Sequence, residues 1–397
     1  MYQAPGVYKE DIFPQPTAEI QTGVPAFIGL VDTSDSDTAF NIPRQLISQF
    51  QFPQTRAFPS ALQRRGVARQ LFGRSASKSQ NSYLAHAVRG FFENGGKRCY
   101  VVRLKNSSLE ALKEGLAALE DLNTIDLICA PDIMTLPRSQ IDREEVRIKQ
   151  STILNHCHRQ GDRFAILDSL PQADLPAVLE QRQRLTATHG ALYYPWIRSQ
   201  DDYFIPPCGH LAGVYARSDN RIGVHKAPAN EILEGVLELE ITLTDAQQSQ
   251  LNPEGINCLR VFPGRGIRVW GARTLNPNPN WRYVNVQRLF ITVRRWIEQN
   301  MTTYLFEPNN TKLWAKIRRE LTAYFNDLFA RGALKGRSLS EAFYVKCDEE
   351  INSAEVREIG KVVTEIGLAA AVPGEFIVVR IFHGFNGTSI TRVLTSG

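Results

Sequence analysis

From Cys99 to Ile197 the chain alternates short apolar runs with amphipathic stretches, and no other feature restricts its fold as strongly. Cys99–Leu104, Ile125–Ala130, Arg163–Asp168 and Ala191–Ile197 read as strands; between them Ser108–Leu122, Ile141–Gln160 and Leu175–Thr188 repeat apolar residues at helical spacing. Strands buried on both faces are continuously apolar, and strands that alternate with helices build a parallel sheet covered by helices. Gly23–Val31 reads as a further buried strand, and Asp32–Ser82 as polar, proline-broken loops around one or two short helices. Ser82–Phe92 is helical, with Tyr83, Ala87 and Phe91 on one face, and stops at Asn94-Gly95-Gly96. Beyond about Leu233 the signal changes to Glu/Thr/Leu alternation, with a hairpin through Cys258–Arg273.

After Asn276-Pro277-Asn278-Pro279-Asn280 the pattern turns helical. Val286, Leu289, Phe290, Val293, Trp296 and Ile297 form one stripe; Leu313, Ile317, Leu321, Phe325 and Leu328 form a second, ending near Gly332. Ala342–Cys347 reads as a strand. A third helix, Ser353–Ala370, has Ser353 as N-cap and Glu355 in its first turn. It buries Val356, Ile359, Val363 and Ile366 and leaves Arg357, Glu358, Lys361 and Glu365 on the opposite face. The fold class is therefore α/β and α+β.

Both ends are strand-like with nothing local to pair with. Val7, Tyr8 and Ile12 lie in a proline-extended opening, and Phe376–Phe382 places Ile377, Val379 and Ile381 on one face of a β-prone run before a loose tail, Gly387–Gly397. Open N–H and C=O groups need a sheet edge. Pairing inside the domain provides one, and donation to a neighbouring subunit provides another.

A chain of 397 residues holds two or three domains, and a net charge of +5 does not call for nucleic acid. No charged and apolar leader opens it, and its longest apolar stretches are too short to span a bilayer. The six cysteines (Cys99, Cys129, Cys157, Cys208, Cys258, Cys347) show no paired spacing and read as reduced thiols of a protein made in the cytoplasm.

Four constellations could carry chemistry. Gly90–Arg98 approaches a phosphate loop, but its spacing is one residue off and Arg98 stands where a magnesium-binding hydroxyl belongs. Asp132 and Asp168 fall at carboxyl ends of strands, where a hydrolase-like enzyme would place its acids, yet His189 lies before its strand. His156, Cys157 and His158 with Cys208 and His210 offer metal ligands, but neighbours one apart on a helix diverge. The arginines from Arg56 to Arg74, with Arg265, Arg268, Arg273, Arg282, Arg288, Arg294 and Arg295, could face nucleic acid, inter-subunit carboxylates or water. The expectation is no enzyme, no cofactor and no metal.

Several stretches resemble the contractile tail sheath family of myophage tails, R-type pyocins and extracellular contractile injection systems. They include Pro5-Gly6-Val7-Tyr8, Thr22–Gly29, Phe91–Gly96 before Cys99–Arg103, Lys226–Asn230 and Leu251–Asn257. The most specific are Phe262–Leu275 and Trp281–Leu289, and Phe343–Asp348 closes the set. The resemblance implies an N-terminal arm (1–22), an N-terminal part of an inner domain (23–98), a central α/β domain (99–275) of subtilisin-like, non-catalytic fold, a C-terminal inner domain (276–375) and a C-terminal arm (376–397). It implies a homo-oligomer: stacked hexameric rings around an inner tube protein, with baseplate and cap proteins, a possible sheath paralogue and a disassembly ATPase. No specific nucleic acid and no membrane insertion follow. It also implies terminal arms that exchange strands between subunits, a tube-facing surface at Arg357, Glu358, Lys361 and Glu365, and contraction that drives the tube through a target envelope.

Overall fold

The apolar runs of the first two thirds pair into one sheet. Its strands are β1 (Pro25–Gly29), β2 (Arg44–Leu46), β3 (Cys99–Arg103), β4 (Leu127–Cys129), β5 (Phe164–Asp168), β6 (Gly190–Tyr194), and, beyond a small side sheet, β10 (Ile256–Phe262) and β11 (Gly266–Trp270). The computed structural model describes residues 20–30, 40–51, 82–134, 142–375, 378–384 and 387–393, the last two as backbone. The eight strands lie in the order β11-β10-β6-β5-β4-β1-β3-β2. The inner six are parallel; β2 and β11 close the edges antiparallel. The side sheet is β7 (Ile197–Ser199), β8 (Phe204–Ile205) and β9 (Val236–Leu239). Pro195 lacks an N–H for a central ladder, so the run expected over Ala191–Ile197 divides into β6 and β7.

Helices α1 (Leu84–Glu93), α2 (Leu109–Ala117), α3 (Arg143–Gln160), α4 (Leu175–Gln183), α5 (Cys208–Arg221) and α6 (Asp245–Leu251) serve this sheet. Helices α1 and α5 pack on each other and against β1, β4 and β5, and α2 and α3 pack on each other and against β1 and β5. Their starts are legible in sequence: Ser108 accepts from Ala111 N, Asp142 from Glu144 N, and Asp174 from Ala177 N. Thr244 and Gln247 form a capping box that starts α6, a helix the alternation there did not suggest.

The second core is helical. Helices α7 (Val284–Met301) and α8 (Thr311–Ala330) pack with a hairpin of β12 (Phe343–Lys346) and β13 (Glu365–Leu368). The stripe Leu313, Ile317, Leu321, Phe325 and Leu328 is buried as expected, and Trp296 stacks on Tyr324 at 4.0 Å. Helix α7 belongs to both cores: Val284 and Ile291 face the sheet domain, whereas Leu289, Val293 and Trp296 face α8.

Within the span 23–98, β1 pairs with both β3 and β4 inside the large sheet, and α1 packs on α5. Two expectations are corrected. The helix expected over Ser353–Ala370 is only five residues long, Ala354–Glu358. Ser353 caps it, but Gly360 at φ +72° turns the chain, and the β-branched run that follows enters β13. Ile359 and Val363, expected to be buried, are exposed. Lastly, the C-terminal run is not partnerless: β14 (Val378–Gly384) pairs antiparallel with β15 (Gly387–Val393), so the supposed loose tail supplies its local partner.

Candidate functional site

Ligands of open parallel sheets bind beyond the carboxyl ends of the strands, where the strand order reverses. Numbered by appearance, the parallel strands run 2-1-3-4-5-6, which puts the reversal between β1 and β4. Asp132, just past β4, fills that crevice with its own carboxylate. One oxygen accepts from Leu30 N at 2.6 Å and Ser82 Oγ at 2.9 Å; the other accepts from Tyr83 N. The approach is so close that a Cβ on Gly29 would fall 2.4 Å from Asp132 Oδ2. Asp168, at the end of β5, accepts from Cys208 N at 2.9 Å and so caps the start of α5. Burial pushes both carboxyls up to about 7, against the pull of these donors.

The other chemical candidates are dispersed. His189 lies at the amino end of β6, its carbonyl accepting from Ala165 N, with its ring edge-on to His158 at 5.5 Å. His156 points away toward the buried Arg163, with 3.4 Å between ring and guanidinium. Burial, aided by Arg163, lowers His156 to about 4, and burial lowers His189 to about 4 and His210 to about 3. All six cysteines are buried and unpaired. Among the described residues no three His, Cys, Asp or Glu side chains converge as a metal site. In the failed phosphate loop, Asn94 and Gly95 close α1, Lys97 bonds Asn220 and Arg98 bonds Gln21.

The arginine set divides, and its buried members carry the main structural arrangement. Arg288, 3 % exposed on α7, inserts between Asp126 at the foot of β4 and Asp219 on α5. Nη1 donates to Asp219 Oδ1 at 2.9 Å, and Nη2 to Asp219 Oδ2 at 2.6 Å and to Asp126 Oδ2 at 2.9 Å. Two carboxylates face one guanidinium; the excess negative charge is met by Gly23 N and Val24 N, which donate to Asp126 at 3.0 and 2.7 Å. Burial alone would lower Arg288, but the two carboxylates raise it above its ordinary value. Two helical turns further on, Arg295 donates to the carbonyls of Gln21 and Asn123, both at 2.9 Å. Sequence reading grouped these arginines with a surface patch. Asn285, Arg288 and Arg295 recur at helical spacing, however, and that spacing was the available sign of a polar face turned inward. Arg273 is also buried, paired with Glu375, whereas Arg294 sits exposed beside Glu298. The arginines from Arg56 to Arg74 lie outside the described residues.

The four residues expected on one helix face do not share it. Arg357 is on the short helix, half-buried with its guanidinium 5.8 Å from the Trp314 ring centre. Glu358 is exposed beside it; Lys361 follows the turn, its carbonyl accepting from Asn309 Nδ2 at 2.7 Å. Glu365 starts β13 and accepts from Tyr344 Oη at 2.6 Å. Val379 and Ile381 lie in β14; Val7, Tyr8, Ile12 and Ile377 lie outside the described residues.

The family models describing the phage tail sheath protein central domain and the phage tail sheath C-terminal domain match residues 108–275 and 276–383, together well over half of the chain. The tail sheath protein of Salmonella phage ViI is 28 % identical over 182 residues, covering 44 % of this chain and 28 % of that one. A putative prophage major tail sheath protein of Pseudomonas aeruginosa is 26 % identical over 177 residues, covering 43 % and 44 %. The chain thus spans less than half the length of the curated relatives it matches. Against solved structures the match runs end to end. A chain of the anti-feeding prophage baseplate, six-fold symmetrised, superposes with a TM-score of 0.75 at 27 % identity, covering 97 % of this chain and 100 % of that one. The sheath of an extracellular contractile injection system, PVC, in its contracted state, gives 0.73 at 28 %, covering 97 % and 99 %. With two family models over most of its length and sheath and baseplate structures covering 97 % of it, this chain belongs to the phage tail sheath family.

Proposed function

We propose that this chain polymerises as stacked hexameric rings around an inner tube and contracts to drive that tube through a target envelope. The observation that carries the reading is the end-to-end match to sheath chains of contracted particles, the anti-feeding prophage helical sheath among them, at 28 % identity. The partners are further copies of the chain, a tube protein, baseplate and cap proteins, and an ATPase that disassembles spent sheath. Assembly takes place in the cytoplasm and the product is part of a tail or tail-like particle; no helix among the described residues is long and apolar enough to cross a membrane. Contraction needs no bound nucleotide: subunits move as near-rigid bodies into a state with larger mutual contacts, while strand-paired arms keep them connected. Co-expression with a tube protein from the same gene neighbourhood, followed by electron microscopy, tests it. Long striated sheaths around tubes are expected; particles that remain monomeric in every condition contradict it.

A further inference from the structure

Two junctions of this chain are fastened very differently. Where the central region passes into the C-terminal region, many bonds cross. Thr274 N donates to Arg282 O at 2.7 Å, Asn276 Nδ2 to Thr188 Oγ1 at 3.3 Å, Val284 N to Ala272 O at 2.9 Å, and Asn285 Nδ2 to His225 O at 2.8 Å. Arg288 and Arg295 add the buried links described above. This junction is welded.

The second junction lies between the body and the hairpin β14–β15. The last ladder bonds, Lys335 N to Ala369 O at 2.8 Å and Ala371 N to Ala333 O at 3.0 Å, end at Ala371. Val372 is 54 % exposed, and a Cβ on Gly374 would meet nothing within 4 Å. Then Glu375 grips Arg273 with both oxygens: Nε donates to Oε1 at 3.0 Å, and Nη2 to Oε2. The side chains are only 9 % and 17 % exposed. Arg273 is itself immobilised, since its Nη1 donates to Asn252 O at 3.0 Å and its main-chain N to Asn257 Oδ1 at 2.7 Å. A bidentate guanidinium–carboxylate pair fixes direction as well as distance. It therefore sets how the chain leaves the body three residues before β14 begins.

We propose that Arg273–Glu375 is a latch: it holds the take-off of the C-terminal hairpin against the central region, and it opens when the hairpin is drawn to a new direction while the welded junction stays shut. That the hairpin is drawn at all rests on the sheath reading. The latch is a property of the single chain and is tested there. The purified full-length protein is digested with thermolysin, following cleavage between residues 371 and 378. Glu375→Arg, which sets like charges together, should speed that cleavage by about tenfold or more, and Glu375→Gln by a smaller factor, with Tm unchanged in both. The paired reversal Arg273→Glu with Glu375→Arg should return the rate to within about twofold of wild type. Should the double variant fold poorly, the ordering Arg > Gln > wild type at position 375 still decides. Equal rates at all three residues overturn the latch. Protection by the pair in a protein that never forms sheaths would leave the latch standing and count against the sheath reading alone.

Discussion

Arg288 shows how much one buried charge can organise. Removing it leaves Asp126 and Asp219 buried and unmatched, so Arg288→Met should cost about 3–5 kcal/mol in urea unfolding, while adding Asp219→Leu should restore part of that loss. The carboxyls at the strand ends make a different prediction. Asp132 and Asp168 hold a proton up to about pH 7 when folded, whereas an unfolded aspartate releases it near its ordinary value of 3.8. In between, the folded state binds more protons, so their contribution to stability falls as pH rises from about 4 to 7. Asp168→Asn removes that term. Its stability relative to wild type should improve between pH 5 and pH 8, by at most about 3 kcal/mol, in parallel unfolding series. The buried His156 and His210 and the half-buried His189 act oppositely: unfolded they take a proton near 6.5, folded only at about 4 (His156, His189) and 3 (His210), so stability is lost as pH falls below 6.5. Both aspartates were legible as strand-end acids. That Asp132 occupies the crevice itself was not, because the donors at Leu30, Ser82 and Tyr83 come from segments distant in sequence.

Among the elements, the failed helix at 353–370 is the most instructive. Its apolar spacing satisfied a helical period, but Gly360 and the run Val362-Val363-Thr364 gave competing local preferences, and pairing with β12 decided between them. The proposed tube-facing charges therefore sit on a short helix, a turn and a strand. Reversing Arg357 and Lys361 to Glu should weaken tube-templated assembly with little change in Tm, each exposed pair being worth roughly 0–1 kcal/mol; sheath yields equal to wild type would exclude that surface. The hairpin β14–β15 allows a sharper test. In an antiparallel strand alternate N–H groups face opposite sides. Of Val379→Pro and Arg380→Pro, one removes a donor from the hairpin's own ladder and the other from its open edge. If the hairpin adds to a neighbour's sheet, both should abolish long sheaths in electron micrographs; if only one does, the open edge is not used.

For the whole molecule, the arms are the proposed means of connection between subunits. Deleting residues 1–20 should leave a folded protein, since the described cores lie almost wholly beyond them, yet one that no longer polymerises in size-exclusion chromatography and microscopy. The sequence alone determined the parallel sheet, most helix starts and the stripe on α8, because period, capping residues and turn residues act over a few neighbours. The family resemblance was legible too, carried by short runs such as Phe262–Leu275. Only the tertiary structure decided that β1 enters the middle of the sheet, that α7 serves two cores, and that Arg273 and Arg288 are interior clamps. Each of these depends on partners about 25 to 160 residues away in sequence, where burial and charge pairing between distant segments outweigh local propensity.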